Sequence, residues 1–399
     1  MLACALAPAY TVGWHIGFYP NLLEIGILLT VVVFAWESYQ QRRMPILLGR
    51  ETFGARTFLV ATALLVIAGA LSVIVAPDRR AALGLFRAYF IEPVLFFVVL
   101  INAVRTSRQA FMVVAGLGLG GIVVALLNIV TVLDALRHHA VDTGQNTPVA
   151  VYQTSNAVAL FLVPIIAVAG SVLLHSRSNR QRQLAGIFIA IAGSAVVLSF
   201  SRGGYLASVA VAIGLALSHR RRWWLLGGLG VVVAAAIRVP IIASRLGHEF
   251  SATDPSNTLA GRIHLWQATL SMMRGHLLFG TGLSGYAHFM SPWPAGLVQL
   301  IYPHNLILNF WVATGVLGVL AFVVLLIQGF RIAWRGWIRG DVDWRPFELG
   351  VLLALVAVVV HGLVDVPYFK NDLSFEFWVL LAIAWAGIIA SRSRDRPAR

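Results

Sequence analysis

Residues 304–329, HNLILNFWVATGVLGVLAFVVLLIQG, run for 26 positions without a lysine, arginine, aspartate or glutamate. Crossing the hydrocarbon core of a bilayer takes ~20 apolar residues. No water is present there to satisfy backbone groups, so a run of this length must bond within itself as a helix. Working outward, similar runs occur at 2–18, 20–37, 57–76, 83–102, 110–133, 152–174, 184–200, 203–218, 223–238, 347–364 and 373–391. The expected fold is therefore all-α: a polytopic transmembrane bundle of about 12 spans, forming one integral membrane domain over residues 1–399. The first run is short and contains Pro8 and His15, with no basic stretch before it. If it does not cross, the N-terminus changes sides.

Composition agrees. Hydrophobic residues make up 59% of the 399 and charged residues 12%, with a mean hydropathy of +0.83, whereas soluble chains carry roughly 25% charge. Cys4 is the single cysteine, which excludes an intrachain disulfide and a cysteine metal site. The net charge of +14 does not point to nucleic acid, because the arginines sit in short links between apolar runs rather than in a patch with interleaved aromatics.

Those links set the orientation, since positive residues collect on the cytoplasmic side. Alternate links carry Arg42, Arg43, Arg50 and Arg56; Arg105 and Arg108; Arg177, Arg180 and Arg182; Arg220, Arg221 and Arg222; Arg331, Arg335, Arg339 and Arg345; and a tail ending at Arg399. The intervening links hold little beyond Arg79, Arg80, Arg137, Arg202 and Lys370. Both ends are thus expected in the cytoplasm, and the long interruption at 239–303 lies outside by parity. Within it, Leu259, Ile263, Trp266, Leu270 and Met273 recur at helical spacing, as in an amphipathic helix at a membrane surface.

Three external motifs bear on chemistry. In Ser201-Arg202-Gly203-Gly204 a permanent cation stands beside flexible backbone at the membrane boundary. A guanidinium fork grips phosphate oxygens in pairs, and glycine lets backbone N–H groups approach an anion; the same arginine can equally snorkel to lipid headgroups. Gly261-Arg262 opens the amphipathic helix, where the dipole already favours an anion. In Tyr302-Pro303-His304-Asn305, proline fixes the approach of a histidine able to take a proton near neutral pH. Asn305 can orient a ring nitrogen or a sugar hydroxyl; an interfacial histidine can also be merely a satisfied polar group.

Other signals carry less. Gly280-Thr281-Gly282-Leu283-Ser284-Gly285 fits GxGxxG, but no strand precedes it, so it reads as a turn. His248-Glu249 does not extend to HExxH, and Glu249 and Asp254 are the only carboxylates in the loop, which supports neither a zinc protease nor a two-carboxylate glycosidase. Arg87 and Glu92 lie inside one run, and His361 and Asp365 near the outer end of another. Charge at depth is costly enough to be a functional candidate, and a structural ion pair is the competing reading.

Taken in order, TSNAVALFLVP, LSFSRGGYLAS, GRIHLWQATLSMMRGHLLFGTGLSGYAHF, YPHNLILNFWVATGVLGVLAF and HGLVDVPYF resemble the O-antigen ligase family, which includes related polysaccharide polymerases. The family-like core covers about 150–330, with the external loop in the expected place. The resemblance implies a GT-C-like, metal-independent, inverting glycosyltransferase of the cytoplasmic membrane, with its site facing the periplasm or exterior and no cofactor. Its partners would be a glycan on undecaprenyl pyrophosphate, a glycan or lipid acceptor, and membrane lipids. By motif position, Arg202 and Arg262 take the pyrophosphate-binding roles and His304 the catalytic one, with Asn305, Ser201, Gly203, Arg87 and Asp365 as substrate-binding candidates. Leu277 and Ala313 depart from the family pattern, where proline and an acidic residue are frequent.

The chemistry is consistent with the residues. Diphosphate is a good leaving group, so the site needs cations on it more than a general acid, whereas the acceptor hydroxyl needs a base in line with the anomeric carbon. A polymerase joining one lipid-linked repeat to another is the alternative within the family. A lipid-linked sugar flippase is the alternative outside it, and would usually leave an inverted repeat or paired broken helices in the sequence.

Overall fold

Backbone groups in hydrocarbon must pair within their own segment, and helices account for the spanning elements of the computed structural model, which describes residues 1–11, 21–42, 54–140, 147–239, 258–294, 297 and 299–395. The long helices are α1 Leu22–Gln40, α2 Ala55–Val75, α3 Arg79–Ala103, α4 Ser107–Arg137, α5 Ser155–His175, α6 Asn179–Leu198, α7 Arg202–Leu217, α8 Arg222–Arg238, α9 Thr258–Met273, α10 Leu306–Arg339, α11 Arg345–Gly362 and α12 Asn371–Asp395. Nine of them, all but α7, α8 and α9, are long and apolar enough to cross a membrane among the described residues. The 16 residues of α7 and 17 of α8 fall just short of the expected length. The chain is a multi-pass helical membrane protein.

The first apolar run is not one helix. It forms Leu2–Ala5 and then a 3-10 turn over Ala7–Thr11, with Pro8 inside the turn; residues 12–20 lie outside the described residues. This segment lies in a groove on α4 made by Gly116 and Gly120. A Cβ there would meet Met1 O at 2.7 Å and Ala5 O at 2.8 Å, so only glycine admits the backbone this closely.

Helices α5, α10, α11 and α12 form the centre, with α5 packed on α11 and α10 on both α2 and α11. Short links at 76–78, 104–106, 176–178, 199–201 and 340–344 reverse the chain between spans. The starts of α5, α7, α10 and α12 and the end of α11 consequently share one end of the bundle, the end opposite the arginine-rich links.

Helix α10 departs from the continuous span expected at 304–329. Gly315 takes φ +68°, ψ −173° inside it, a conformation open to glycine. The rings of Phe310 and Phe322 stack with centroids 3.9 Å apart, although twelve residues of straight helix would separate them by about 18 Å. Residues 306–314 therefore fold back, and 316–339 make the crossing. The groups released by the break are taken up by the loop that precedes α10: Thr281 N–H donates to Val312 O at 2.7 Å, and Val316 N–H to Leu278 O at 3.1 Å. The glycine-rich stretch is the expected turn, with Gly280 at φ +70° and Gly282 at φ +80°.

A second irregularity lies in α3, where residues 87–91 form a π-turn. Pro93 has no N–H to offer the carbonyl of Tyr89, which instead accepts from Tyr368 Oη at 2.8 Å.

Helix α9 forms where its spacing predicts. Leu265, Thr269 and Met273 are buried. Leu259, Ile263 and Leu270, from the apolar stripe that the spacing marks, are 43–48% exposed. The buried face rests on Tyr286, Met290 and Val312, which leaves the second apolar face outward.

Candidate active site

Asn305 caps α10. Its Oδ1 accepts from Leu308 N–H at 3.0 Å, and its Nδ2 donates to Leu363 O at 3.1 Å, so both ends of the amide fasten the start of α10 to the link after α11. His304, just before the cap, holds φ +50°, a left-handed conformation that costs a non-glycine residue about 1–3 kcal/mol and persists only where its surroundings enforce it. They do. Trp266 Nε1 of α9 donates to Pro303 O at 2.9 Å, and the Tyr302 ring packs edge-on against the imidazole, centroids 4.9 Å apart.

This conformation directs Nδ1 of His304 to Oδ1 of Asp365 at 3.2 Å. Asn156 Nδ2, from the first turn of α5, donates to the other oxygen at 3.0 Å, and Val366 N–H donates to Oδ1 at 2.9 Å. Asp365 is 3% exposed. Burial alone would raise its carboxyl pKa, but the hydrogen bond and charge of His304, with His361 and Arg262, prevail and hold it below the ordinary carboxylate value. An ionised carboxylate only accepts, so Nδ1 carries a proton, and in the neutral imidazole Nε2 is left with the lone pair. The histidine side chain is 21% exposed and open to a ligand.

One cation, Arg262, acts on this pair, and the start of α7, which carries Arg202, packs nearby. Arg262 on α9 is half-buried; burial works to lower its pKa and the charge of Asp365 opposes that, while a guanidinium stays charged at any physiological pH. Arg202 is the first residue of α7, whose cap is Ser201: Oγ accepts from Gly204 N–H at 3.1 Å. Its neighbour Gly203 packs on His361, and a Cβ there would fall 2.7 Å from Cδ2 and 2.8 Å from Nε2 of that ring. His361 lies one turn before Asp365, so the start of α7 meets α11 directly beside the carboxylate.

His304, Asp365, Arg262 and the N-terminus of α7 thus come together from four separate parts of the chain. Asn305 and Ser201 belong to the group as helix caps. Arg87 stands apart: Nη2 is 2.6 Å from Glu24 Oε2, and Nε is 2.9 Å from Glu92 Oε1. Glu24 also accepts from Asn371 Nδ2 at 2.9 Å. With two carboxylates on one guanidinium, the arrangement favours the ion-pair reading over a substrate contact. Asn156 and Glu24 were not singled out from sequence; the first lies within the TSNAVALFLVP block, and nothing local marks the second.

A neutral imidazole oriented by a buried carboxylate, with a permanent cation near that carboxylate, can take a proton from a hydroxyl while an anionic group is held nearby. Residues 185–323, roughly a third of the chain, match a family model described as O-antigen ligase. That segment includes Arg202, Arg262 and His304 and ends before Asp365. No curated protein matched the chain.

Proposed function

We propose, on the match of residues 185–323 to the O-antigen ligase model, that the chain is a membrane enzyme of that family and acts as an inverting glycosyltransferase. It moves a glycan from undecaprenyl pyrophosphate to an acceptor hydroxyl at the outer face of the cytoplasmic membrane. Arg202 and Arg262 hold the diphosphate without a metal. Nε2 of His304 takes the acceptor's proton, and the acceptor oxygen attacks the anomeric carbon. The bond from that carbon to the phosphate oxygen breaks, and undecaprenyl pyrophosphate departs with both electrons of the bond. Asp365 orients the imidazole and stabilises its protonated form.

The hydrogen bond between His304 and Asp365, with Arg262 beside it, carries this reading. A flippase needs cations along a path but no oriented base. Among the described residues, α10 is broken at Gly315 without a second, symmetry-related break at a glycine of positive φ inside a helix, and alternating access usually relies on such pairs.

The test supplies purified protein with undecaprenyl-pyrophosphate glycan and candidate acceptors, comparing wild type with Arg202→Ala and Arg262→Ala. Losing one such donor costs ~3 kcal/mol, on the order of a hundredfold in rate. Undiminished transfer by both variants rejects the site. Movement of the lipid across a liposome bilayer with no new glycosidic bond favours the flippase.

A further inference from the structure

Beside Tyr302, between the folded-back part of α10 and the loop that precedes it, lies a cleft of about 260 Å³, close to the lower limit of about 300 Å³ for small-ligand sites. Its walls include Tyr89, Tyr286, Tyr302 and Phe369, with Asn309 and Ser284. Asn309 is 5% exposed and contributes to the wall of the cleft.

The lining decides what fits. None of its residues is charged, so it offers no cation to a diphosphate. Nor does it suit a hydrocarbon chain, because three phenols, an amide and a hydroxyl face it. A second cavity, lined by Phe111, Val114, Ile165, Leu184 and Phe188, has the wholly apolar character that a lipid tail requires. Flat aromatic faces beside amide and hydroxyl groups match a neutral sugar, whose C–H face stacks on a ring while its hydroxyls take hydrogen bonds.

We propose that this cleft is the acceptor subsite and holds an uncharged pyranose ring of an acceptor glycan. The assignment to the acceptor rests on the transferase reading above: the cleft carries no cation for the diphosphate and borders Tyr302, whose ring packs against the His304 imidazole.

Saturation-transfer NMR on the purified full chain in detergent tests it, with methyl glycosides of glucose, galactose, rhamnose and N-acetylglucosamine as probes. At least one is expected to bind, and Ala287→Trp, which fills the cleft, and Asn309→Ala are each expected to weaken that binding at least tenfold. His304→Ala and Arg262→Ala are expected to retain it. Absence of binding by every probe, insensitivity to Ala287→Trp, or displacement of the glycoside by undecaprenyl phosphate would overturn the proposal. Transfer by His304→Ala reports separately on the base, so failure of the catalytic reading and failure of the cleft are told apart.

Discussion

Asn156 donates to the carboxylate of Asp365 across 209 positions of sequence, at 3.0 Å. This contact fixes the oxygen that His304 does not use, so α5 aims the carboxylate and the carboxylate aims the imidazole. Asn156→Ala should leave Asp365 free to rotate, lowering kcat with little change in the KM for donor. Steady-state kinetics with the lipid-linked donor would show this split; a rise confined to KM would place Asn156 on the substrate instead.

Asp365→Asn should cost at least about a hundredfold in kcat, the lower end of a general base's contribution. An amide can donate to Nδ1 and favours the tautomer with the proton on Nε2. The variant also tests the electrostatics. Because the folded carboxyl pKa is depressed, its stabilising contribution is present above the unfolded value of about 3.9 and is lost as pH falls through the folded one. Melting curves of Asp365→Asn should lie below wild type at neutral pH and converge with it only under strongly acid conditions.

Gly203→Ala should push His361 and the first turn of α7 apart, since a Cβ would sit 2.7 Å from the ring. The expected result is weaker binding of undecaprenyl pyrophosphate through displacement of Arg202. Adding His361→Ala should restore part of it. Additive losses in the double variant would show that the two residues do not act on each other.

Gly315→Ala should destabilise by about 1–3 kcal/mol, as an L residue is strained at φ +68° and its Cβ would collide with Leu278 O. A melting temperature equal to wild type would mean that the break in α10 tolerates a side chain.

Arg87→Gln should lower thermal stability by leaving Glu24 and Glu92 without their cation. The loss should be smaller than the ~3–5 kcal/mol of a fully buried pair, because the arginine side chain is 34% exposed and solvent screens it. The folded fraction should keep its KM for donor. A raised donor KM would return Arg87 to the substrate site.

The spans were legible because a bilayer demands long apolar runs whatever their neighbours do. Arg202 and His304 drew attention because each stands in a local motif at a helix boundary, and Arg262 because a glycine precedes it, although α9 begins four residues earlier, at Thr258. The break at Gly315 was not legible, since a glycine in an apolar run reads the same whether the helix continues or folds back. Only the docking of Leu278 and Thr281 reveals the difference. Asn156 and Glu24 escaped for a related reason: each acts on a partner in a distant helix, and its own surroundings look like an ordinary helix start.

The most direct test of the paired imidazole and carboxylate is single-turnover transfer from undecaprenyl-pyrophosphate glycan by wild type and His304→Ala, measured alongside binding of undecaprenyl pyrophosphate. Loss of transfer by at least about a hundredfold, with binding intact, is the predicted result. Transfer by His304→Ala at the wild-type rate would contradict it.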